Sequence, residues 1–492
     1  MSEREQDVRR ERLEAARAAG IDPFPARVGS RTPISELRAR YDDQDAEALD
    51  AAAPEAALVG RVRAVRSFGK LLFLDVVEEG TGFQVSARKG ETPAETFAFL
   101  RGLDVGDFVH VAGRIWRTKK GELSLAASEA SLLAKSLRPL PEKWHGLVDV
   151  ETRLRQRHLD LLGNPRAREV AILRSRMVSA LRRFLDGRGF LEVETPVLQP
   201  LYGGAAARPF NTHHETYDQP LYLRISDELY LKRLVIGGLD RVYEIGHDFR
   251  NEGVSRKHNP EFTMLECYQA YADFEEMMRL TEAMVQETAQ SVLGTLEIVY
   301  QEQKIDLSGS WPRVRMDAAI REATGVDVLA APDLAALRKA ISAAGHPVPE
   351  AASWAKLVDE LFSDHVEPEL VQPTFVTHHP AALSPLAKRS PDDPRVVERF
   401  EVFVAGFELG NAFSELNDPD DQRARFEEQS LAASAGDDET QPVDEDFLAA
   451  LEAGMPPTGG FGLGVDRLAM LLADTSHIRE VILFPHLRPE SG

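Results

Sequence analysis

Between Ala57 and Ala126 the chain breaks into five short alternating runs, and this pattern limits its fold more than any other feature. The runs are Leu58–Val62, Leu71–Val77, Gly82–Ala87, Phe108–Trp116 and Glu122–Ala126. Turn signals separate them at Phe68-Gly69-Lys70, Gly80-Thr81-Gly82 and Lys119-Lys120-Gly121, and one helix-like piece, Thr92–Arg101, interrupts them. Five strands and one helix in about 80 residues fit a small Greek-key barrel of the OB type, although a small β sandwich gives the same pattern.

The barrel does not stand alone, because 492 residues is a two- or three-domain length. Ahead of it, a charged helix, helped slightly by Glu5 and Arg9 at i,i+4, stops at Gly20 and Asp22-Pro23-Phe24-Pro25. An acidic, alanine-rich stretch from Asp42 to Glu55 reads as a flexible or weakly helical connector. The expected division is therefore 1–56 helix and connector, 57–140 barrel, and 141–492 a second domain entered through Arg138-Pro139-Leu140-Pro141. In that domain Leu173, Met177, Leu181 and Phe184 recur at helical spacing, ended by Gly187 and Gly189. Leu191, Val193 and Thr195 then alternate with Glu192 and Glu194 as a strand stopped by Pro196. Helices are expected at Glu275–Leu293, Asp333–Ala344 and Trp354–Val366, with a helical insertion near 313–370. Alternating runs lie at Gln219–Ile225, Arg241–Phe249, Met264–Tyr268 and Arg399–Leu416. Adjacent strands with helices collected elsewhere predict an α+β domain built on an antiparallel sheet flanked by helices. Residues 431–445 read as a solvated loop.

Charge and cysteine usage narrow the class. No run approaches the roughly 18 apolar residues of a membrane span, and the Glu- and Arg-rich amino end is no secretory signal. The single cysteine, Cys267, excludes an intrachain disulfide and a Cys-rich zinc site. A cytoplasmic protein is expected. The net charge of -22 is uneven. Residues 1–140 hold 22 Lys and Arg against 22 Asp and Glu, so the acidic surplus lies wholly beyond them. Within 57–140 the balance is +4, which permits a nucleic-acid module at the front without establishing one.

The common nucleotide signatures fail. There is no P-loop, and Gly460-Phe461-Gly462-Leu463-Gly464 lacks the spacing and βαβ context of a dinucleotide fingerprint. The pairs His213-His214 and His378-His379 read as structural or surface histidines. Three segments carry more. Phe249-Arg250-Asn251-Glu252-Gly253, followed by His258-Asn259-Pro260-Glu261-Phe262, can present an arginine to a phosphate and an aromatic to a base, or can be an ordinary surface hairpin. Pro456–Arg467 runs glycine-rich into a helix bearing Asp466 and Arg467, equally readable as a packed turn. In Glu401–Glu408, a tight turn at Ala405-Gly406 pairs Phe403 with Glu408. Glu401 then lies on the same face as Glu408, roughly 7–8 Å away. Two carboxylates at that separation can share a hard divalent cation with substrate phosphates, as in many magnesium sites. The alternative is a solvated acidic face, which the intervening Val402, Phe403, Val404 and Phe407 disfavour.

Together these segments resemble the class II aminoacyl-tRNA synthetases. Phe249–Glu252 with its loop resembles motif 2, Gly460–Arg467 motif 3, and Phe184–Pro196 motif 1, which forms the dimer interface in that class. The front barrel resembles the anticodon-binding domain of the subgroup charging lysine, aspartate and asparagine. Within it, the lysine enzymes are matched by Gly203–Phe210, Arg224–Lys232, Asn411–Asp418 and Pro456-Pro457-Thr458. Departures are small: His247-Asp248 before the motif 2 arginine, and Cys267 where a bulky apolar residue is usual.

The resemblance implies a lysine–tRNA ligase activity: lysine and ATP give lysyl-adenylate and pyrophosphate, then lysine passes to tRNA(Lys) with release of AMP. It implies Arg250 and Arg467 as catalytic cations, with Arg250 on the α-phosphate and attacking carboxylate. Phe262 and Arg467 would sandwich the adenine, Glu252 and Asn259 lie near its edge, and His258 lies near the phosphates. Magnesium (Mg2+) would be held by Glu401 and Glu408. Glu266, Tyr268 and Glu415 would take the lysine side chain, Gly204 and Glu228 its α-amino and carboxylate end, with Asn411 and Phe413 lining the site. In the barrel, Phe73 and Gln84 would stack on and read an anticodon base. The expected assembly is a homodimer. Two rivals are a paralogue that attaches lysine to a protein, a group lacking the front barrel, and a non-catalytic RNA-binding or regulatory paralogue, expected to have lost Arg250, Arg467 or the glutamate pair. Finally, Glu408 and Glu415 fall on opposite faces of a regular strand. A bulge at Leu409–Asn411, with Gly410 at positive φ, is predicted to bring them to one side.

Overall fold

The computed structural model describes residues 3–140, 149–351, 353–434 and 441–490. Pro141 of the expected linker and Gly436-Asp437-Asp438-Glu439 of the expected loop lie outside them. The chain separates into two compact units, Met1–Asp149 with His158–Pro165, and Val150–Arg157 with Arg166–Gly492.

In the first unit, β1 (Glu55–Phe68), β2 (Leu71–Glu78), β3 (Thr81–Arg88), β4 (Phe108–Arg117) and β5 (Leu123–Ala134) close into a barrel in the order β1-β2-β3-β5-β4. The closure rests on the length of β1. Its first half, Glu55–Arg61, pairs with β4, and its second, Arg61–Phe68, pairs with β2, with an irregularity at Val62/Ala64. Such an irregularity bends a strand and strengthens its twist, which a barrel corner needs. Alternation sends Leu58, Val62, Leu72, Leu74, Phe83, Val85, Val109 and Val111 inward. The stretch expected to be a connector is more ordered than its composition implies. Ala46–Ala52 is a helix whose N-cap Asp45 accepts from the Ala48 amide, and Leu49 joins Ile34 and Leu37 in the barrel core. One apolar residue per turn suffices where a barrel face is there to receive it.

The second unit is built on eight strands ordered β14-β15-β16-β17-β18-β11-β10-β6. They are β6 (Leu191–Glu192), β10 (Arg241–Phe249), β11 (Glu261–Ala270), β14 (Arg313–Arg315), β15 (Thr374–Thr377), β16 (Arg399–Val404), β17 (Phe407–Ser414) and β18 (Thr458–Gly464). Two small sheets complete the count, β7 (Leu198–Gln199), β8 (Asn211–His214) and β9 (Gln219–Leu223), and the hairpin of β12 (Glu297–Tyr300) and β13 (Gln303–Asp306). The inner pairings are antiparallel, but both outer ones, β6–β10 and β14–β15, are parallel. The sheet is therefore mixed, because these short edge strands are reached through long connections rather than hairpins. The strand expected over Leu191–Thr195 shrinks to two residues, with Leu191 exposed.

Period two decides what each face carries. Tyr243, Leu265, Cys267, Phe461, Ala412 and Phe400 point to the main core, shared with the helices Pro165–Asp186 and Phe274–Leu293. The opposite face bears the polar side chains of the candidate site. The insertion forms the helices Met316–Thr324, Leu334–Ala343 and Trp354–His365 around a core of its own, including Ile320, Leu337, Leu361 and Phe362.

Close approach of β4 and β5 at their irregularity near Ala112/Gly113 leaves no room for a side chain, since a Cβ at Gly113 would overlap the Ala126 carbonyl. Gly113→Ala should therefore destabilise the barrel by about 1–3 kcal/mol. A lowered denaturant midpoint for the barrel transition is the expected result.

Candidate active-site cleft

Two cross-strand rows build the floor of the cleft. Glu266 of β11 faces Gly462 of β18, which faces Asn411 of β17, which faces Glu401 of β16. One step along, Tyr268 faces Gly460, then Phe413, then Arg399. The glycine-rich run is thus neither a loop nor a packed turn but the middle strand of this floor. Its glycines are required by what crosses them. A Cβ on Gly460 would strike Glu415 Oε1 and lie 2.5 Å from Tyr268 Cε1. One on Gly462 would meet Met264 at 3.3 Å. Two missing side chains hollow out a cleft of about 380 Å³.

All fifteen residues assigned to ATP, lysine and metal line this cleft: Gly204, Glu228, Arg250, Glu252, His258, Asn259, Phe262, Glu266, Tyr268, Glu401, Glu408, Asn411, Phe413, Glu415 and Arg467. At one end the acids gather. Glu266 accepts from Ser226 Oγ at 2.9 Å and from Tyr268 OH at 3.0 Å. Burial, then the charges of Asp248 and Glu228, push its carboxyl up to about 8. Glu415 is buried too, and burial, partly offset by Lys232, raises its carboxyl well above the ordinary range. Gly204, at φ +87, packs its Cα side against Ser226 and Glu228, where a Cβ would come within 2.8 Å of the Ser226 hydroxyl oxygen.

At the other end stands the acidic hairpin. Phe403 pairs with Glu408 and Val404 with Phe407 across a turn in which Ala405 and Gly406 both have positive φ, as a type I′ turn requires. The register then jumps, since Val402 pairs with Gly410, so Leu409 is the extra residue. This bulge puts Glu408, Asn411, Phe413 and Glu415 on one side. The reason expected for Gly410 is corrected: it is absent from the positive-φ glycines. It is small because a Cβ there would lie 2.7 Å from both the Gly462 carbonyl and the Phe461 ring. Glu401 pairs with Arg399 at 2.5 Å and lies 3.5 Å from His379 Nε2. Burial works against its charge, but Arg399 and His379 overcome it and hold the carboxyl at about 2. Glu408 pairs with Arg467 at 3.0 Å. Among the described residues no three His, Cys, Asp or Glu are grouped to hold an ion. A cation held by these two carboxylates would complete its shell with oxygens of another ligand.

Between the two ends lie the phosphate- and base-binding candidates. The β10–β11 hairpin sets Phe262 opposite Asp248, just before the loop that carries Arg250. The Arg250 guanidinium lies 5.1 Å from the Phe262 ring centroid. One face of the ring expected to stack on a base is therefore covered by the arginine expected on the phosphate. Arg467 donates to the Glu408 carbonyl and carboxylate and to His258 Nε2 at 3.1 Å. Burial and the neighbouring Arg467, Arg250 and Lys257 lower His258 to about 4, so it is neutral near pH 7. With Nε2 accepting, Nδ1 carries the proton toward Ser255 Oγ, 2.8 Å away. Asn259 is buried, its Nδ2 donating to the Glu261 carbonyl while Oδ1 has no hydrogen-bond partner among the described residues. Glu252 lies on the exposed rim.

Residue-by-residue reading missed Arg399, Lys257 and Ser226, which also line the cleft. The signal for Arg399 was present, because the alternation that places Glu401 places the residue two before it on the same face. Asp466 also borders the cleft, but its carboxylate is taken up in accepting from the Thr263 amide and Arg174, tying its helix to β11.

In the barrel, Phe73 and Gln84 occupy the outer face. Leu72 and Leu74 on either side of Phe73 are core residues, and Phe73 is half-buried, outside that core. It packs edge-on against Phe68, 6.5 Å between centroids. Gln84 donates to Ser124 Oγ at 2.7 Å and faces Asp75, which Arg66 grips with two bonds of 2.6 Å.

Comparison with known proteins gives two matching families, one for each part of the chain. The family described as tRNA synthetases class II (D, K and N) matches residues 149–488, and the OB-fold nucleic acid binding domain matches residues 56–133. A lysine–tRNA ligase of Roseiflexus castenholzii is 54% identical over 486 residues, 98% of either chain. That of Chloroflexus aurantiacus is 54% identical over 489 residues, 99% of this chain and 98% of its own. That of Bacillus subtilis is 47% identical over 481 residues, 98% and 96%.

The buried Glu266 makes a pH prediction. Its carboxyl ordinarily titrates near 4.5 and here near 8, so the folded state holds a proton that the unfolded chain releases. Its stabilisation is full below the ordinary value and fades as pH rises through about 8. Thermal midpoints should fall more steeply with rising pH in the wild type than in Glu266→Gln. Parallel slopes would contradict the assignment.

Proposed function

The chain belongs to the class II tRNA synthetases of the D, K and N group, and within them to the lysine–tRNA ligases, and we propose that the cleft activates lysine with ATP and passes it to tRNA(Lys). The observation that carries this reading is the buried acidic end. Glu228, Glu266 and Glu415 meet there with Tyr268, and the Oε1 atom of Glu415 has no hydrogen-bond partner among the described residues. Buried carboxylates call for a cationic ligand. Activity as a paralogue that lysylates a protein is disfavoured by the barrel with its outward Phe73 and Gln84. A non-catalytic role is disfavoured by the retention of Arg250, Arg467, Glu401 and Glu408.

The chemistry needs little proton transfer at the start. The carboxylate of lysine is ionised near pH 7, and its oxygen attacks the α-phosphorus of ATP as the bond to pyrophosphate breaks. The site supplies alignment and charge neutralisation. Arg250 holds the α-phosphate and the attacking carboxylate. The adenine would stack on Phe262, with Arg467 on its other side. The free Oδ1 of Asn259 suits the amino edge of the base. His258, being neutral, serves as a hydrogen-bonding partner of Arg467 and the phosphates rather than as a cation. Glu401 and Glu408 would hold magnesium, which would supply charge neutralisation for the phosphates of ATP. The strongly acidic Glu401 keeps its oxygens ionised for that role. In the second step a hydroxyl of the terminal ribose of tRNA attacks the lysyl carbonyl and AMP leaves.

The remaining assignments follow from the same membership. The exposed Leu191, Val197 and Leu198 beside the motif 1 helix would be covered in a homodimer. No helix among the described residues is long and apolar enough to cross a membrane, and the protein would work in the cytoplasm with its tRNA.

Two variants test the reading. Glu408→Gln should cut lysine-dependent ATP–pyrophosphate exchange by about 100-fold or more, on the scale of losing a charge-stabilising group. It should also shift the magnesium dependence while leaving the fold intact, and an unchanged magnesium titration would remove the metal assignment. Phe73→Ala should raise the KM for tRNA by the equivalent of about 1–3 kcal/mol, the worth of one base stack, and leave exchange near wild type. A parallel fall of exchange and charging would return Phe73 to a structural role.

A further inference from the structure

A lysine of the protein sits against the acidic wall of the cleft. Lys232 lies one helical turn after Glu228 on the helix Glu228–Ile236 and is fully buried. Its ammonium is ion-paired with Glu228 Oε1 and with Glu415 Oε2. The rings of Phe413 and Phe447 lie 5.4 Å and 6.0 Å from Nζ. Glu228, Glu415 and Phe413 line the cleft, whereas Lys232 does not, so it stands behind the wall. Burying an ammonium carries a desolvation cost that its partners must repay, and an apolar side chain in its place would leave the buried Glu228 and Glu415 without their cation.

The geometry shows what the buried charge does. Lys232 occupies Oε2 of Glu415, and the other oxygen, Oε1, is turned over Gly460 toward the Tyr268 ring, as the space around a Cβ on Gly460 records. Both oxygens are buried without a hydrogen bond among the described residues, and what separates them is the ion pair of Oε2 with Lys232, which Oε1 lacks. Lys232 likewise occupies only one oxygen of Glu228. The charges also count. With all three ionised, Glu228, Glu266 and Glu415 against Lys232 would carry two negative charges, matching the two ammonium groups of lysine; Glu266, which burial keeps protonated near pH 7, would ionise on meeting a substrate ammonium.

We propose that Lys232 is a positioning residue for amino-acid selection: by pairing with the inner oxygens of Glu228 and Glu415 it turns their second oxygens to the cleft and sets the wall's charge to match the two ammonium groups of lysine. This rests on the reading of the cleft as a lysine site. It opposes the simple electrostatic expectation, in which a cation behind the wall repels the substrate and its loss tightens binding. It also differs from a purely structural ion pair, whose loss would weaken lysine and ATP alike.

Kinetics of Lys232→Met separate these. The expected result in ATP–pyrophosphate exchange is a KM for lysine raised about 50-fold or more, the scale of leaving buried charged partners unmatched. The KM for ATP and kcat at saturating lysine should stay within about threefold, a margin of less than 1 kcal/mol. Lys232→Arg, which keeps the charge, should recover part of the loss. An unchanged or lowered KM for lysine, or equal losses for lysine and ATP, would overturn the proposal. Should Lys232→Met not fold, a crystal structure of the wild-type protein with lysine bound decides. Lys232 should still bridge Glu228 and Glu415 with the substrate ammonium on Oε1 of Glu415, and a Lys232 withdrawn from Glu415 would refute it. If the wild-type protein shows no lysine-dependent exchange, the lysine reading itself fails, whatever the variants do.

Discussion

The absence of side chains at Gly460 and Gly462 is the constraint on which the site depends. Both lie in β18, between β11 and β17, on the face where Tyr268, Glu266, Phe413 and Asn411 stand up. Any Cβ at Gly460 would displace Glu415 and Tyr268 together. A central strand normally resists glycine, which weakens it through chain entropy and lost packing. Here the neighbours restore the loss from the other face, where Phe461 and Leu463 are fully buried in the main core. One strand thus anchors the sheet on one side and opens it on the other.

Charge follows from that hollow. A cleft lined by buried acids is stable only if cations or protons compensate them. Lys232 serves Glu228 and Glu415, Arg399 serves Glu401, and Arg467 serves Glu408. Beside the cleft, on the same face of the sheet, Arg224 does the same for Asp227, Glu244 and Asp248, and it fits there because residue 246 is glycine, whose Cβ would overlap the guanidinium. Three carboxylates around one arginine leave an excess. Burial, then the neighbouring acids, push Asp227 up to about 10 and it keeps its proton. The same logic holds Glu266 near 8. Burial pushes the carboxyls of Glu228, Glu266 and Glu415 up, while Arg399 and His379 outweigh burial at Glu401 and keep it ionised.

The hairpin of β16 and β17 joins these two ends mechanically. Its tight turn fixes Glu408 against Phe403, and the extra residue Leu409 rotates the strand so that Asn411, Phe413 and Glu415 share the side of Glu408. A regular strand would divide the acids between cleft and core. Leu409 itself is fully buried, so the bulge is held by the core rather than by local turn chemistry.

Much of this was legible in the sequence, for physical reasons. Period-two alternation fixed the barrel strands, and the turn at Ala405-Gly406 fixed the pairing of Phe403 with Glu408, since both depend on near neighbours in the chain. The same local logic required a bulge after Glu408. What it could not supply were effects of residues far apart in sequence. Gly410 is small because β18 passes close beside it, not because its own backbone needs freedom. Ala46–Ala52 folds because a barrel surface receives Leu49. The glycine-rich run became a strand because β11 and β17 flank it, and Lys232, in the sequence one more charge within Arg224–Lys232, faces Glu415 only once its helix packs against the sheet. Sequence alone determined the barrel strands, the long helices and the local turn of the β16–β17 hairpin. Tertiary structure decided which carboxylate oxygen of Glu415 meets a cation, because its partner Lys232 lies more than 150 residues away in the chain.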